Sequence, residues 1–146
     1  MPCCLAYSTA STRRCSNRSK TWFCLSVFSV HVNRAPIDAT LAEYRYSQGR
    51  TFAAYTDKAS LVNEQNLSVW EGAAGRLALK QIAGVIARRI VFDHAPGAAV
   101  RRGDRIGLIR FGSRVDVFLP ADAEVLVRVG DRVRAGESAL ARLERR

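Results

Sequence analysis

The sequence predicts a mainly β fold: a single domain of short strands, a barrel and sandwich hybrid in outline, with one or two short helical turns. Three observations predict it. From Thr21 onward, short apolar runs alternate with turn residues and no long helical period takes over. Val100-Arg101-Arg102-Gly103-Asp104-Arg105-Ile106 is echoed by Val127-Arg128-Val129-Gly130-Asp131-Arg132-Val133, each a Gly-Asp turn feeding a strand. The length of 146 residues suits one hydrophobic core and not two.

Taken in order, residues 1–20 contain many Ser, Thr, Arg and Cys with no acidic residue, and are expected to be unstructured or a mis-started segment. They are set apart from a domain over 21–146. The apolar runs place strands at about 22–32, 38–46, 51–55, 66–71, 77–83, 88–93, 105–111, 114–119, 124–128 and 138–143. The stretch from Leu77 to Phe92 is ambiguous, because Ile82, Val85, Ile86, Arg89 and Ile90 also suit a helix face, and a helical turn is expected around 83–87. The two Gly-Asp turns are similar to those of lipoyl- and biotinyl-carrier modules, but the lysine that such modules modify is missing.

Composition narrows the function classes. Lys and Arg number 23 against 13 acidic residues, a net charge of +10, which attracts nucleic acid or anionic lipid alike. The arginines are spread among apolar residues, and no nucleic-acid motif or aromatic platform accompanies them, so lipid is the expected partner and nucleic acid is not. Cys3, Cys4, Cys15 and Cys24 form no Cys-x-x-Cys pair and have no histidine cluster, so neither a disulfide framework nor a metal site is expected. The apolar stretch at 22–32 falls short of the ~20 residues that span a bilayer. Arg13, Arg14, Arg18 and Lys20 before it imitate a signal peptide, yet no small-residue cleavage site follows. Membrane contact is therefore expected to be peripheral.

The sharpest chemical feature is Gly112-Ser113, bracketed by Leu108-Ile109-Arg110-Phe111 and Arg114-Val115-Asp116-Val117-Phe118-Leu119-Pro120. Glycine has no Cβ to block approach, so the serine hydroxyl can reach the preceding carbonyl. Alone the dipeptide is common, and its ordinary role is a turn. In context, Leu108 to Pro120 resembles the processing region of phosphatidylserine decarboxylase proenzymes of the short bacterial and archaeal type. Three further blocks resemble that family in the same order: Phe28-Ser29-Val30-His31-Val32-Asn33-Arg34-Ala35-Pro36, Asp57-Lys58-Ala59-Ser60 with Asn63-Glu64-Gln65-Asn66, and Gln81-Ile82-Ala83-Gly84-Val85-Ile86-Ala87-Arg88-Arg89-Ile90.

The resemblance implies self-cleavage at Gly112-Ser113, leaving a pyruvoyl group derived from Ser113, an electron sink made without a bound cofactor. It implies decarboxylation of phosphatidylserine to phosphatidylethanolamine, with a β chain ending at 112 and an α chain over 113–146 remaining together as a heterodimer; higher assembly is left open. The cytoplasmic side of the cell membrane is the expected location. His31 becomes a proton-handling candidate in that context, against the plainer role of a hydrogen-bonded histidine at a strand end. Arg34, Arg88, Arg89, Arg110 and Arg114 are candidate phosphate or carboxylate ligands, against a solvated face or an ion pair with Asp104 or Asp116. His94 is expected on a surface loop. Asp57, Asn63 and Glu64 suit a buried polar network as well as a substrate contact.

The chain also departs from the family. No Pro-Ala-Asp-Gly motif precedes Phe28, where the family carries an aspartate implicated in self-cleavage, and Pro120-Ala121-Asp122-Ala123 lies on the wrong side of the cut to replace it. Ala39 stands where the family usually has glycine. Poor processing is therefore expected. The alternative readings are an inactive truncated decarboxylase and a non-catalytic lipoyl-like binding module.

Overall fold

The computed structural model describes residues 2–4, 10–14, 20–25, 32–49, 62–84, 89–109, 114–128, 131–133 and 137–144. Its strands are β1 (Pro2–Cys4), β2 (Ala10–Arg14), β3 (Lys20–Leu25), β4 (Val32–Arg34), β5 (Ala39–Ser47), β6 (Gln65–Gly72), β7 (Gly75–Ile82), β8 (Ile90–Val91), β9 (Ala99–Val100), β10 (Arg105–Ile109), β11 (Arg114–Phe118), β12 (Glu124–Val125), β13 (Arg132–Val133) and β14 (Ala139–Arg142). The mainly β expectation holds. An eight-stranded sheet runs β13-β2-β3-β11-β7-β6-β5-β9, beside two three-stranded sheets, β4-β10-β8 and β1-β14-β12. Every neighbouring pair is antiparallel. Among the described residues no helix is long and apolar enough to cross a membrane.

The centre of the large sheet follows from alternation. In β6 the side chains of Asn66, Ser68 and Trp70 turn inward, and in β7 those of Leu77, Leu79 and Gln81 do. A two-residue turn at Ala73-Ala74 joins these strands, which pair from Gln65↔Ile82 to Gly72↔Gly75. Strand β11 is buried on both faces over 114–117, and both of its edges are paired, to β3 and to β7. Leu41, Trp70, Leu79, Ile106, Ile109, Val115 and Val117 form the middle of the core, and Leu140, Ala141 and Leu143 extend it under β14.

The internal echo is real in three dimensions. Arg101 N donates to Asp104 Oδ2 at 2.8 Å while Asp104 N donates to Arg101 O at 3.0 Å. Arg128 N and Asp131 repeat both bonds at 2.6 and 3.1 Å. Each aspartate closes its own turn, which is why Gly-Asp recurs at the same point. At Gly103 the backbone adopts φ 94°, a conformation that favours glycine.

Several expectations need correction. Residues 1–20, expected to lack a fold, supply β1, paired with β14, and β2, set between β13 and β3. Backbone pairing satisfies N–H and C=O groups whatever the side chains, so polar composition does not exclude an added strand. The single strand expected over 22–32 is two elements in different sheets, β3 and β4. The run at 88–93 shortens to Ile90–Val91 and that at 124–128 to Glu124–Val125. His94 lies on a loop, as expected, but is half-buried there. Its ring packs edge-on against Trp70 at 6.2 Å and Phe92 at 5.6 Å, Phe92 stacks on Tyr44 at 4.8 Å, and His94 Nε2 lies 3.2 Å from Arg105 O. The strand expected at 51–55 and residues 85–87 of the expected helical turn lie outside the described residues.

Candidate active site

Strand β11 starts at Arg114, so the bond between positions 112 and 113 lies just ahead of the central sheet. Arg110, Gly112 and Ser113 themselves lie outside the described residues, as do His31 and Arg88. The strands on either side of 110–113 are placed: β10 ends at Ile109 in a three-stranded sheet, and β11 begins in the eight-stranded one. Four residues carry the chain from one sheet to the other.

The same end of the fold carries described residues of the other segments singled out from sequence. The β4–β10 ladder finishes at Val32↔Leu108, and β4 and β10 have their described ends there. Ile90 pairs with Ile109, which brings Arg89 to this end. Arg114, Ile82, Gln65 and Ser47 form one transverse row across β11, β7, β6 and β5.

The arginines separate by position. Arg34 lies at the far end of the β4–β10 ladder, opposite Arg105, and its Nη1 donates to Gly103 O at 2.9 Å, bracing the turn. Arg114 is buried, with Nε donating to Asp116 Oδ1 at 2.6 Å and Nη2 to Asp116 Oδ2 at 3.2 Å. Arg89 is exposed, and its charge acts on the Tyr46 phenol. Tyr46 also hydrogen-bonds Glu64, whose Oε1 accepts from Ile90 N at 3.2 Å. Desolvation first, then the Glu64 hydrogen bond and carboxylate charge, raise the Tyr46 pKa, while Arg89 opposes them.

Beneath this end lies a buried polar bridge that sequence reasoning missed. Gln81 Nε2 donates to Asn33 Oδ1 on β4, and Asn66 Nδ2 donates to Gln81 Oε1 at 2.7 Å. The bridge ties the β4-β10-β8 sheet to the large sheet near the segment that passes between them. Asn63 Nδ2 adds a bond to Ala83 O at 2.7 Å, so Asn63 belongs to a buried network. Asn66 Oδ1 and Gln65 Oε1 are buried with no partner among the described residues. The available signal was a polar residue in a core-facing row: Gln81 continues the row of Leu77 and Leu79, and Asn66 continues that of Ser68 and Trp70.

A phosphatidylserine decarboxylase family model matches residues 5–141. Among curated proteins, the chain is 47% identical over 121 residues to the phosphatidylserine decarboxylase proenzyme of Magnetococcus marinus, covering 82% of this chain and 56% of the relative. It is 49% identical over 118 residues to that of Solibacter usitatus, covering 81% and 58%, and 50% identical over 121 residues to that of Ruegeria pomeroyi, covering 82% and 55%. The chain thus spans a little over half the length of these relatives. No solved structure gives a significant match. With nearly its whole length matched by the family model, and about half of the aligned residues shared with each relative, the chain belongs to the phosphatidylserine decarboxylase family.

Proposed function

We propose that this chain cuts its own Gly112–Ser113 bond and, carrying the group so made, decarboxylates phosphatidylserine to phosphatidylethanolamine at a membrane surface. The observation that carries the reading is the order of the strands that flank 110–113: β10 ends at Ile109, paired with Ile90, and β11 begins at Arg114, paired with Cys24 and Ile82. The printed name of the relatives, a proenzyme of that decarboxylase, supports it.

In the cleavage, the Ser113 hydroxyl attacks the Gly112 carbonyl carbon, the amide C–N bond breaks, and an ester forms as the amine is freed. Removal of the Ser113 Cα proton expels the Gly112 carboxylate from Cβ, and water then releases ammonia to leave a ketone at position 113. The reading is supported by β11, which is hydrogen-bonded into β3 and β7 as far as its first residue, Arg114. When formed, the pyruvoyl supplies an electron sink for the pair left as carbon dioxide departs. His31, the residue before β4, would hold or deliver the proton. Exposed Arg89 is the described arginine at this end that is free of a buried ion pair and open to a lipid phosphate. The net charge of +10 favours peripheral attachment to anionic lipid on the cytoplasmic face.

Mass spectrometry of the purified chain under denaturing conditions tests the first step. Fragments 1–112 and 113–146 are expected to accumulate slowly, as the poor processing expected from sequence requires, the second with a keto-blocked amino terminus, and Ser113→Ala is expected to stay whole. A chain that remains intact through prolonged incubation overturns the proposal. His31→Ala, assayed separately for cleavage and for turnover, is expected to impair at least one; unchanged rates in both remove it from the mechanism.

A further inference from the structure

Arg114 is the first residue after the proposed electrophile, and it is not available to a dissolved substrate: its side chain is 1% exposed and that of its partner Asp116 is 0%. The two occupy the first same-face positions of β11, on the side of the strand opposite Val115, which pairs with Gln81. A buried ion pair is weak evidence for stability, since apolar residues of similar volume often serve a core as well. Its location therefore calls for another explanation. Cutting the chain ahead of β11 creates a new terminus in the middle of a sheet, and termini fray unless they are tied down.

Resting on the self-cleavage proposed above, we infer that the Arg114–Asp116 pair anchors the chain end that bears the electrophile, so that Arg114 is a positioning residue and not a ligand for the lipid headgroup. The strand supplies two restraints, the pairings Arg114↔Cys24 and Arg114↔Ile82. The guanidinium fork supplies a third, through two directed bonds to a carboxylate two residues further in. Backbone ladders alone leave the first residue free to peel away. A side chain locked beneath the sheet does not, and it keeps position 113 in a fixed direction. Lysine, with one mobile ammonium, would hold the same charge without the fork.

The test is the double variant Arg114→Met/Asp116→Leu, which removes both charges of the pair together. Cleavage, amide exchange at residues 114–117, and steady-state kinetics on phosphatidylserine in mixed detergent micelles are measured together. The variant is expected to be cut, to exchange these amides on the order of tenfold faster than the cut parent, and to lose on the order of tenfold in kcat with KM nearly unchanged. In an uncleavable Ser113→Ala background the same double substitution is expected to leave exchange at 114–117 slow, because the chain is continuous; fast exchange there marks a purely structural pair and overturns the anchor. Exchange and kcat matching the cut parent overturn it too, and a raised KM with constant kcat makes Arg114 a substrate ligand. If the double variant does not fold, Arg114→Lys is read by the same measurements, with smaller losses in the same direction expected and none overturning the anchor. A parent chain that never cuts defeats the self-cleavage proposal itself, and this inference with it.

Discussion

At Gly107 a side chain would have nowhere to go: a Cβ built there meets Val91 O at 2.8 Å and Gln81 Nε2 at 2.9 Å. The glycine is needed because the Gln81 amide crosses β10 to reach Asn33, and only a bare Cα leaves room for it. Gly107→Ala is expected to cost about 1–3 kcal/mol, as overpacking does, read as a lower denaturant midpoint with unchanged slope. Gln81→Leu keeps the bulk but deprives Asn66 Nδ2 of its acceptor; a loss of about 1–3 kcal/mol is expected, partly recovered by adding Asn66→Leu. Tyr46 gives a pH signature. Its folded pKa lies above the ordinary 10.0, so its contribution is fully present below pH 10.0 and is lost as pH rises through the higher folded value. The stability gap between the protein and Tyr46→Phe should be flat at neutral pH and narrow above pH 10.0, measured by urea unfolding across that range. At this scale the sequence showed Gly112-Ser113 and the Gly-Asp turns, because each is a local chemical pattern. It hid Gln81, whose partners Asn33 and Asn66 stand 48 and 15 residues away.

Among elements, β11 carries the most. The strand expected at 114–119 is nearly the one observed, but its sequence pattern could not say that both edges would be paired. That depends on β3 and β7, strands that close around it from distant parts of the chain. The reverse failure occurs at 22–32. One continuous apolar run supplies strands to two sheets, since apolarity reports burial and not the partner that provides it. The repeated turns are testable as elements. Asp104→Ala and Asp131→Ala each remove one side-chain bond that closes a turn, so each is expected to cost about 0.5–1.5 kcal/mol in thermal or denaturant unfolding.

For the whole molecule, the strand order has a consequence for the processed form. A cut at 112–113 would leave β11 paired to β3 and β7, β13 to β2, and β14 to β1, so three of the four described strands after the cut stay bonded to strands before it. The fourth, β12, is held by β14. Fragments 1–112 and 113–146 should therefore co-migrate in native size-exclusion chromatography and separate only in denaturant; release under native conditions would contradict this sheet order. The sequence by itself determined the strand-rich class, the repeated turns, the Gly112-Ser113 bond and the resemblance to a decarboxylase family, because these lie in short contiguous patterns. Only the tertiary structure decided that Arg34 braces a turn, that Arg114 is spent on Asp116, and that Asn33, Gln81 and Asn66 join two sheets beside the candidate site. A side chain's role depends on what lies across the sheet from it, and pairing register, not distance along the chain, sets that neighbour.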